Sequence, residues 1–126
     1  FVTQKMVDDN LLSPNMTGQL VFKTAVVKFP EVIHEALQKE GLKTEDIDLL
    51  VPHQANLRIS QFVQRALRLP DEKVMNNIQK YGNTTAASIP IALCEAWEQG
   101  RIKEGDLVCL AAFGSGFTWG SALIRW

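Results

Sequence analysis

His53, Asn83 and the Gly114-Ser115-Gly116 turn are the residues of this 126-residue chain whose types could do chemistry together. An imidazole and a carboxamide are both neutral hydrogen-bond donors at neutral pH. A glycine-rich turn leaves backbone N–H groups open to approach, because no side chains block them. Donors of these kinds suit an oxygen on which negative charge develops during reaction, such as an enolate or a tetrahedral oxyanion. They suit a metal poorly, because no second histidine or carboxylate stands at ligand spacing near His53. Gly114-Ser115-Gly116 is not a phosphate-binding P-loop, since no Gly-Lys-Ser/Thr follows it. Nor is it the G-x-S-x-G elbow of hydrolases, since the glycines flank Ser115 directly. Each feature also has a plainer explanation: a strand-end histidine, a helix N-cap and a tight hairpin turn. Their placement relative to one another therefore decides what they mean.

That placement follows from the elements around them. Ile47 to Val51 is an apolar run that reads as a short buried strand, stopped by Pro52, with His53 just past its carboxyl end. Ile59, Phe62, Val63, Ala66 and Leu67 recur at helical spacing, so residues 55–68 read as an amphipathic helix with Arg58, Arg65 and Arg68 on its polar side. A short strand over Lys73–Asn76 follows. Asn83 or Thr84 then caps a helix that ends at Gly100. Its buried face reads as Pro90, Leu93, Cys94 and Trp97, with a local distortion at Pro90. Leu107–Phe113 is continuously apolar, as a central strand covered on both faces would be. The glycine-serine-glycine turn leads into a last strand, Thr118–Trp126, antiparallel to its predecessor.

Upstream, Val21, Phe22, Ala25, Val26 and Phe29, then Ile33, Ala36 and Leu37, mark two helices or one kinked at Pro30, with Gly41 as the stop. His34 reads as a helix-surface or boundary residue. Residues 1–17, with Asp8-Asp9-Asn10 and Ser13-Pro14-Asn15, form a polar, turn-rich lead-in to a core over 18–126. The alternation of strand and helix implies an α/β fold with a mixed sheet and right-handed parallel crossovers. His53, the Asn83 loop and the Gly114–Gly116 turn then all follow strands that point the same way. They gather at one sheet edge, where ligands bind in open α/β sheets.

A net charge of −1 gives no electrostatic case for nucleic acid or an anionic membrane as partner. No apolar run approaches the roughly 18 residues of a membrane span, and no secretory signal pattern is present. Cys94 falls in the last predicted helix and Cys109 in mid-strand, without stapling or metal-binding spacing, so a reduced, cytoplasmic setting is expected. The first residue is Phe1 and the first methionine Met6, which reads as a piece of a longer polypeptide.

Val51-Pro52-His53-Gln54-Ala55-Asn56, Tyr81-Gly82-Asn83-Thr84-Thr85-Ala86-Ala87-Ser88 and Gly116-Phe117-Thr118-Trp119-Gly120-Ser121-Ala122 closely resemble the 3-oxoacyl-[acyl-carrier-protein] synthase III family. The resemblance runs from Gly18 to Trp126. It implies the C-terminal half of a thiolase fold, in which two similar halves stack as a five-layered αβαβα sandwich. It further implies a cysteine nucleophile in the N-terminal half, acylated by acetyl-CoA or another acyl-CoA primer. His53 and Asn83 would complete a Cys-His-Asn triad, donating to the thioester carbonyl of malonyl-acyl carrier protein as it decarboxylates. By the same resemblance Phe113 would lie beside the reactive sulphur, and the Ser115 N–H would serve the oxyanion hole. Asn56 would border the pantetheine arm and Arg58 would dock the acidic carrier protein. Acyl-CoA and malonyl-acyl carrier protein are substrates, so no cofactor or metal is implied, and a homodimer is. Neither Cys94 nor Cys109 fits the nucleophile, so the chain alone is expected to be inactive. Two alternatives stay open: a non-catalytic half domain that binds CoA or carrier protein, and a related condensing enzyme of secondary metabolism.

Overall fold

Two buried strands set the frame of this protein, whose structure is a computed structural model describing residues 1–12 and 16–126. The expected Ser13-Pro14-Asn15 turn lies outside the described residues. β1 (Leu49–Pro52) pairs in parallel with β2 (Leu107–Gly114), and β2 pairs antiparallel with β3 (Thr118–Arg125). The result is a three-stranded mixed sheet in the order β1-β2-β3. β1 begins two residues later than the apolar run predicts. A 3₁₀ turn at Thr44–Asp46 carries the chain up to Ile47, and the Asp48 carboxylate accepts from the Leu107 N–H at 2.8 Å. Pro52 is the last strand residue, an end position where its missing N–H costs little. The expected strand over 73–76 shrinks to one parallel bridge, Leu50 to Val74. A 3₁₀ turn at Asp71–Lys73 occupies its start, and the Arg101 guanidinium takes the Val74 carbonyl that a longer ladder would use.

The continuous apolar runs are explained by cover on both faces of the sheet. On one side Leu50, Leu107, Cys109, Ala111 and Phe113 pack against α2 (Gly18–Lys39) and α3 (Leu57–Ala66). On the other, Leu49, Val51 and Val108 pack against Ala92 and Ala96 of α5 (Ser88–Glu98). This makes three α/β/α layers with two cores. The lead-in carries one short helix, α1 (Gln4–Asp8).

Pro30 does not divide α2. Phe29, Ile33 and Leu37 are buried on one face together with Ala25. At about 2 kcal/mol for each large side chain, their burial outweighs the roughly 3 kcal/mol of a mid-helix proline. Gly41, at φ +67°, ends the helix as expected, while the Leu42 N–H returns to the Leu37 carbonyl at 2.8 Å. His34 is exposed.

α5 departs from expectation in two ways. The buried face is Ser88, Ala92 and Ala96, flanked by half-buried Ile89 and Leu93, whereas Pro90, Cys94 and Trp97 (57% exposed) face outward. Small residues at four-residue spacing let the helix sit close on the sheet, and the larger side chains are left to the far side. Pro90 is also the third residue of α5, because a 3₁₀ turn at Thr85–Ala87 precedes the helix proper. It therefore lies in the first turn, where an N–H would have no intrahelical partner, and needs no distortion. Among the described residues no helix is long and apolar enough to cross a membrane.

Candidate active site

The register Pro52 to Ala111 fixes where β1 ends and what comes next. The His53 N–H donates to the Ala111 carbonyl at 2.8 Å, so the residue is held to the neighbouring strand by its own backbone. Its imidazole is half-buried, and Nδ1 lies 2.6 Å from the Ser88 hydroxyl oxygen on α5. Nε2 is the ring nitrogen left for anything in the cleft. Burial holds the imidazole pKa below its ordinary value near 6.5, because desolvation penalises the charged form. In the intact protein, histidine NMR is thus expected to give a His53 midpoint below 6.5. The unfolded chain binds the proton more readily. The stability carried by neutral His53 is therefore present above about 6.5 and is lost as pH falls through the folded value. A midpoint above 6.5 would mean that a charge outweighs burial at this site.

Asn83 stands on the loop between α4 (Ile78–Tyr81) and the 3₁₀ turn at Thr85–Ala87. Its side-chain oxygen accepts the Thr85 N–H at 2.9 Å. An N–H can only donate, so the atom facing it is Oδ1, and the Nδ2 amide group has no hydrogen-bond partner among the described residues, which leaves its protons available. Thr85 itself sits at φ +52°, which is strained for a β-branched residue, and Gly82 at φ +70° supplies the turn before it. Neither Asn83 nor Thr84 caps α5 as expected, because the 3₁₀ turn intervenes. The N-cap of α5 is Ala87 and that of the turn is Thr84, neither with a side-chain cap bond, and the Asn83 side chain instead closes a local turn onto Thr85.

His53, Asn83, Phe113 and Ser115 all line one cleft of about 1080 Å³, together with Ala55, Ile59, Ser88 and the turn through Gly120. Phe113 is nearly buried, 6.2 Å from Trp119 in a stacked arrangement and 5.1 Å from Phe117, so it forms the apolar floor. Ser115 lies on the exposed hairpin tip, where its carbonyl accepts from the Thr118 hydroxyl at 3.1 Å. Gly116, at φ +142°, has no room for a side chain: a Cβ there would stand 2.9 Å from Thr118 Cγ2. Asn56 and Arg58 are not in the cleft wall. Asn56 is the N-cap of α3 and accepts the Arg58 N–H at 2.9 Å, and both are exposed between wall residues Ala55 and Ile59.

Neither cysteine carries the marks of a nucleophile. Burial pushes the Cys109 thiol up to about 12. Cys94 is exposed rather than buried, and the Glu98 carboxylate beside it raises its pKa. Among the described residues no group of three His, Cys, Asp or Glu side chains could hold a metal.

Two residues that pattern reading passes over tie the site together. Ser88, 2% exposed, touches His53 and also accepts the Gln54 N–H at 3.3 Å. Gln54, 3% exposed, donates to the Pro52 and Met75 carbonyls and accepts from the Asn77 and Ile78 N–H groups. It thereby joins the loop bearing His53 to the segment that leads into Asn83.

Comparison with known proteins gives one consistent result. The family profile described as "3-Oxoacyl-[acyl-carrier-protein (ACP)] synthase III C terminal" matches residues 37–126. A beta-ketoacyl-[acyl-carrier-protein] synthase III of Campylobacter jejuni is 52% identical over 98% of this chain, and one of Aquifex aeolicus is 51% identical over 94%. The chain spans only 39% and 38% of those relatives' lengths. The crystal structure of the Aquifex aeolicus 3-oxoacyl-[acyl-carrier-protein] synthase III superposes with a TM-score of 0.87 at 52% identity, covering 89% of this chain and 36% of that one. OleA of Xanthomonas campestris superposes at 0.79 with 29% identity, over 86% of this chain and 33% of that one.

Proposed function

Since this chain belongs to the 3-oxoacyl-[acyl-carrier-protein] synthase III family, as the C-terminal half of a thiolase-fold enzyme, we propose that it supplies the oxyanion-stabilising pair of a decarboxylative Claisen condensation. The observation that carries this reading is the shared cleft, where the His53 imidazole and the free Nδ2 side of Asn83 form part of one wall.

In the proposed step, malonyl-acyl carrier protein lies with its thioester carbonyl oxygen between His53 and Asn83. The bond from the methylene carbon to the carboxylate breaks, carbon dioxide leaves, and the electron pair enters the enolate. Both side chains donate hydrogen bonds to its oxygen. The enolate carbon then attacks an acyl thioester on a cysteine of the N-terminal part, and the thiolate departs. The Phe113, Phe117 and Trp119 cluster supplies the apolar wall that keeps water from the enolate. The Ser115 backbone N–H, on the hairpin tip, would meet the oxyanion of the acyl-cysteine. The pantetheine arm would pass Asn56 at the start of α3. The whole enzyme is read as cytoplasmic and homodimeric, with acyl-CoA as primer and without a cofactor. Identity of 52% to the Aquifex aeolicus synthase against 29% to OleA favours the reaction of a 3-oxoacyl-[acyl-carrier-protein] synthase III over that of a more distant relative.

The direct test assays the two half-reactions separately in the full-length enzyme: acylation by acetyl-CoA, and decarboxylation of malonyl-acyl carrier protein. Changes at His53 and Asn83 are expected to impair the second and spare most of the first. A role for the exposed Arg58 in docking the acidic carrier protein has its own signature. Arg58→Glu reverses a charge at the cleft rim, so it is expected to raise KM for malonyl-acyl carrier protein about tenfold with little effect on acylation. Equal losses with both substrates would remove Arg58 from the docking surface.

A further inference from the structure

We propose that Ser88 is a positioning residue, whose hydroxyl donates its proton to His53 Nδ1 and so holds the imidazole as the neutral Nε2–H tautomer. The inference rests on the assignment of His53 to the oxyanion site, for only that tautomer can donate from Nε2 to a substrate oxygen.

The argument is a count of protons. Among the described residues the Ser88 oxygen has two polar partners, His53 Nδ1 at 2.6 Å and the Gln54 N–H at 3.3 Å. The Gln54 N–H can only donate, so it occupies one lone pair of the serine oxygen. If His53 also donated through Nδ1, the oxygen would accept twice and its own proton would be left without a partner. Ser88 is only 2% exposed, so water cannot readily take that proton, and an unpaired buried hydroxyl is costly. If instead Ser88 donates to Nδ1, every proton at the junction is placed and Nε2 carries the remaining one. Gln54 keeps its backbone in register for this. Its side chain is anchored at both ends, to Pro52 and Met75 through Nε2 and to Asn77 and Ile78 through Oε1. Ser88 is held as firmly, as the first residue of α5 on the face that packs against the sheet.

A serine there could equally be a small residue chosen for close packing, and the two roles give different results. In the full-length enzyme labelled with ¹⁵N-histidine, above the His53 pKa, the wild-type spectrum is expected to show an unprotonated Nδ1 and a protonated Nε2. In Ser88→Ala, which keeps the packing, the Nδ1–H tautomer is expected to gain population. The rate of malonyl-acyl carrier protein decarboxylation falls about tenfold, the worth of one ordinary hydrogen bond, with KM little changed. Ser88→Thr keeps the hydroxyl and is expected to recover most of the rate. A protonated Nδ1 in the wild type overturns the proposal, and that spectrum decides the matter even if Ser88→Ala fails to fold. So does a folded Ser88→Ala enzyme with wild-type kcat, provided that His53→Ala is impaired beside it. A wild-type rate in His53→Ala would instead remove the oxyanion reading itself.

Discussion

Asn83→Asp in the full-length enzyme is expected to slow decarboxylation of malonyl-acyl carrier protein by about 10²–10³, roughly 3–4 kcal/mol of transition-state stabilisation, while leaving the fold intact. The substitution separates two roles that an alanine would confuse. Asn83 Oδ1 accepts the Thr85 N–H, and that bond holds Thr85 at its strained positive φ. Asn83→Ala would release the turn and could lose activity for that reason alone. A carboxylate keeps an oxygen at the same place and can accept the same Thr85 N–H. What it loses is the Nδ2 donor, and what it presents to the developing enolate is a negative charge. Melting temperature and acetyl-CoA acylation are the controls, and both are expected to stay near wild type. Decarboxylation near the wild-type rate in a folded Asn83→Asp enzyme would reduce Asn83 to a residue that only closes the local turn at Thr85.

The three strands of the sheet and the edge they present were legible because β1 and β2 are continuous apolar runs, whereas the expected strand over 73–76 is only one bridge. Val108 and Cys109 look to opposite cores, so both parities of β2 are apolar, and only a doubly covered strand reads that way. With β1 and β2 parallel, His53 and the hairpin after Phe113 had to emerge on one side. The orientation of α5 was not legible. Pro90, Leu93, Cys94 and Trp97 share helical spacing just as Ser88, Ala92 and Ala96 do, and a helix apolar on most sides has no single face in its pattern. Side-chain size pointed to the wrong one, since the sheet selected the small residues for close approach. The depth of Pro90 was misjudged for a related reason. A 3₁₀ turn at Thr85–Ala87 separates Asn83 from α5, and nothing in periodicity distinguishes that turn from helix. Ser88 and Gln54 were missed because their bonds cross 34 or 35 positions, or 21 to 24 for the Gln54 amide, and exist only once the layers are packed. The one local signal was a glutamine between a histidine and an alanine two residues past a strand end, which reads as a solvent-facing loop residue yet is buried.

His53→Ala is expected to lower the same decarboxylation rate by about 10²–10³, again with acylation by acetyl-CoA largely preserved. The imidazole is half-buried and bonded to Ser88, so its loss also leaves the serine proton without an acceptor, while the oxygen keeps the Gln54 N–H. That structural cost falls on stability and is read from the melting temperature, whereas the loss of a donor at the enolate falls on kcat. The decisive measurement is the double variant with Asn83→Ala. If the two side chains serve separate purposes, their effects multiply. If both donate to one oxygen, removing the first leaves an enolate already poorly held. The second loss then matters less, and the double variant stays well above the product of the single ones. A fully multiplicative loss, with both single variants folded, would mean that His53 and Asn83 share a cleft without sharing an oxygen.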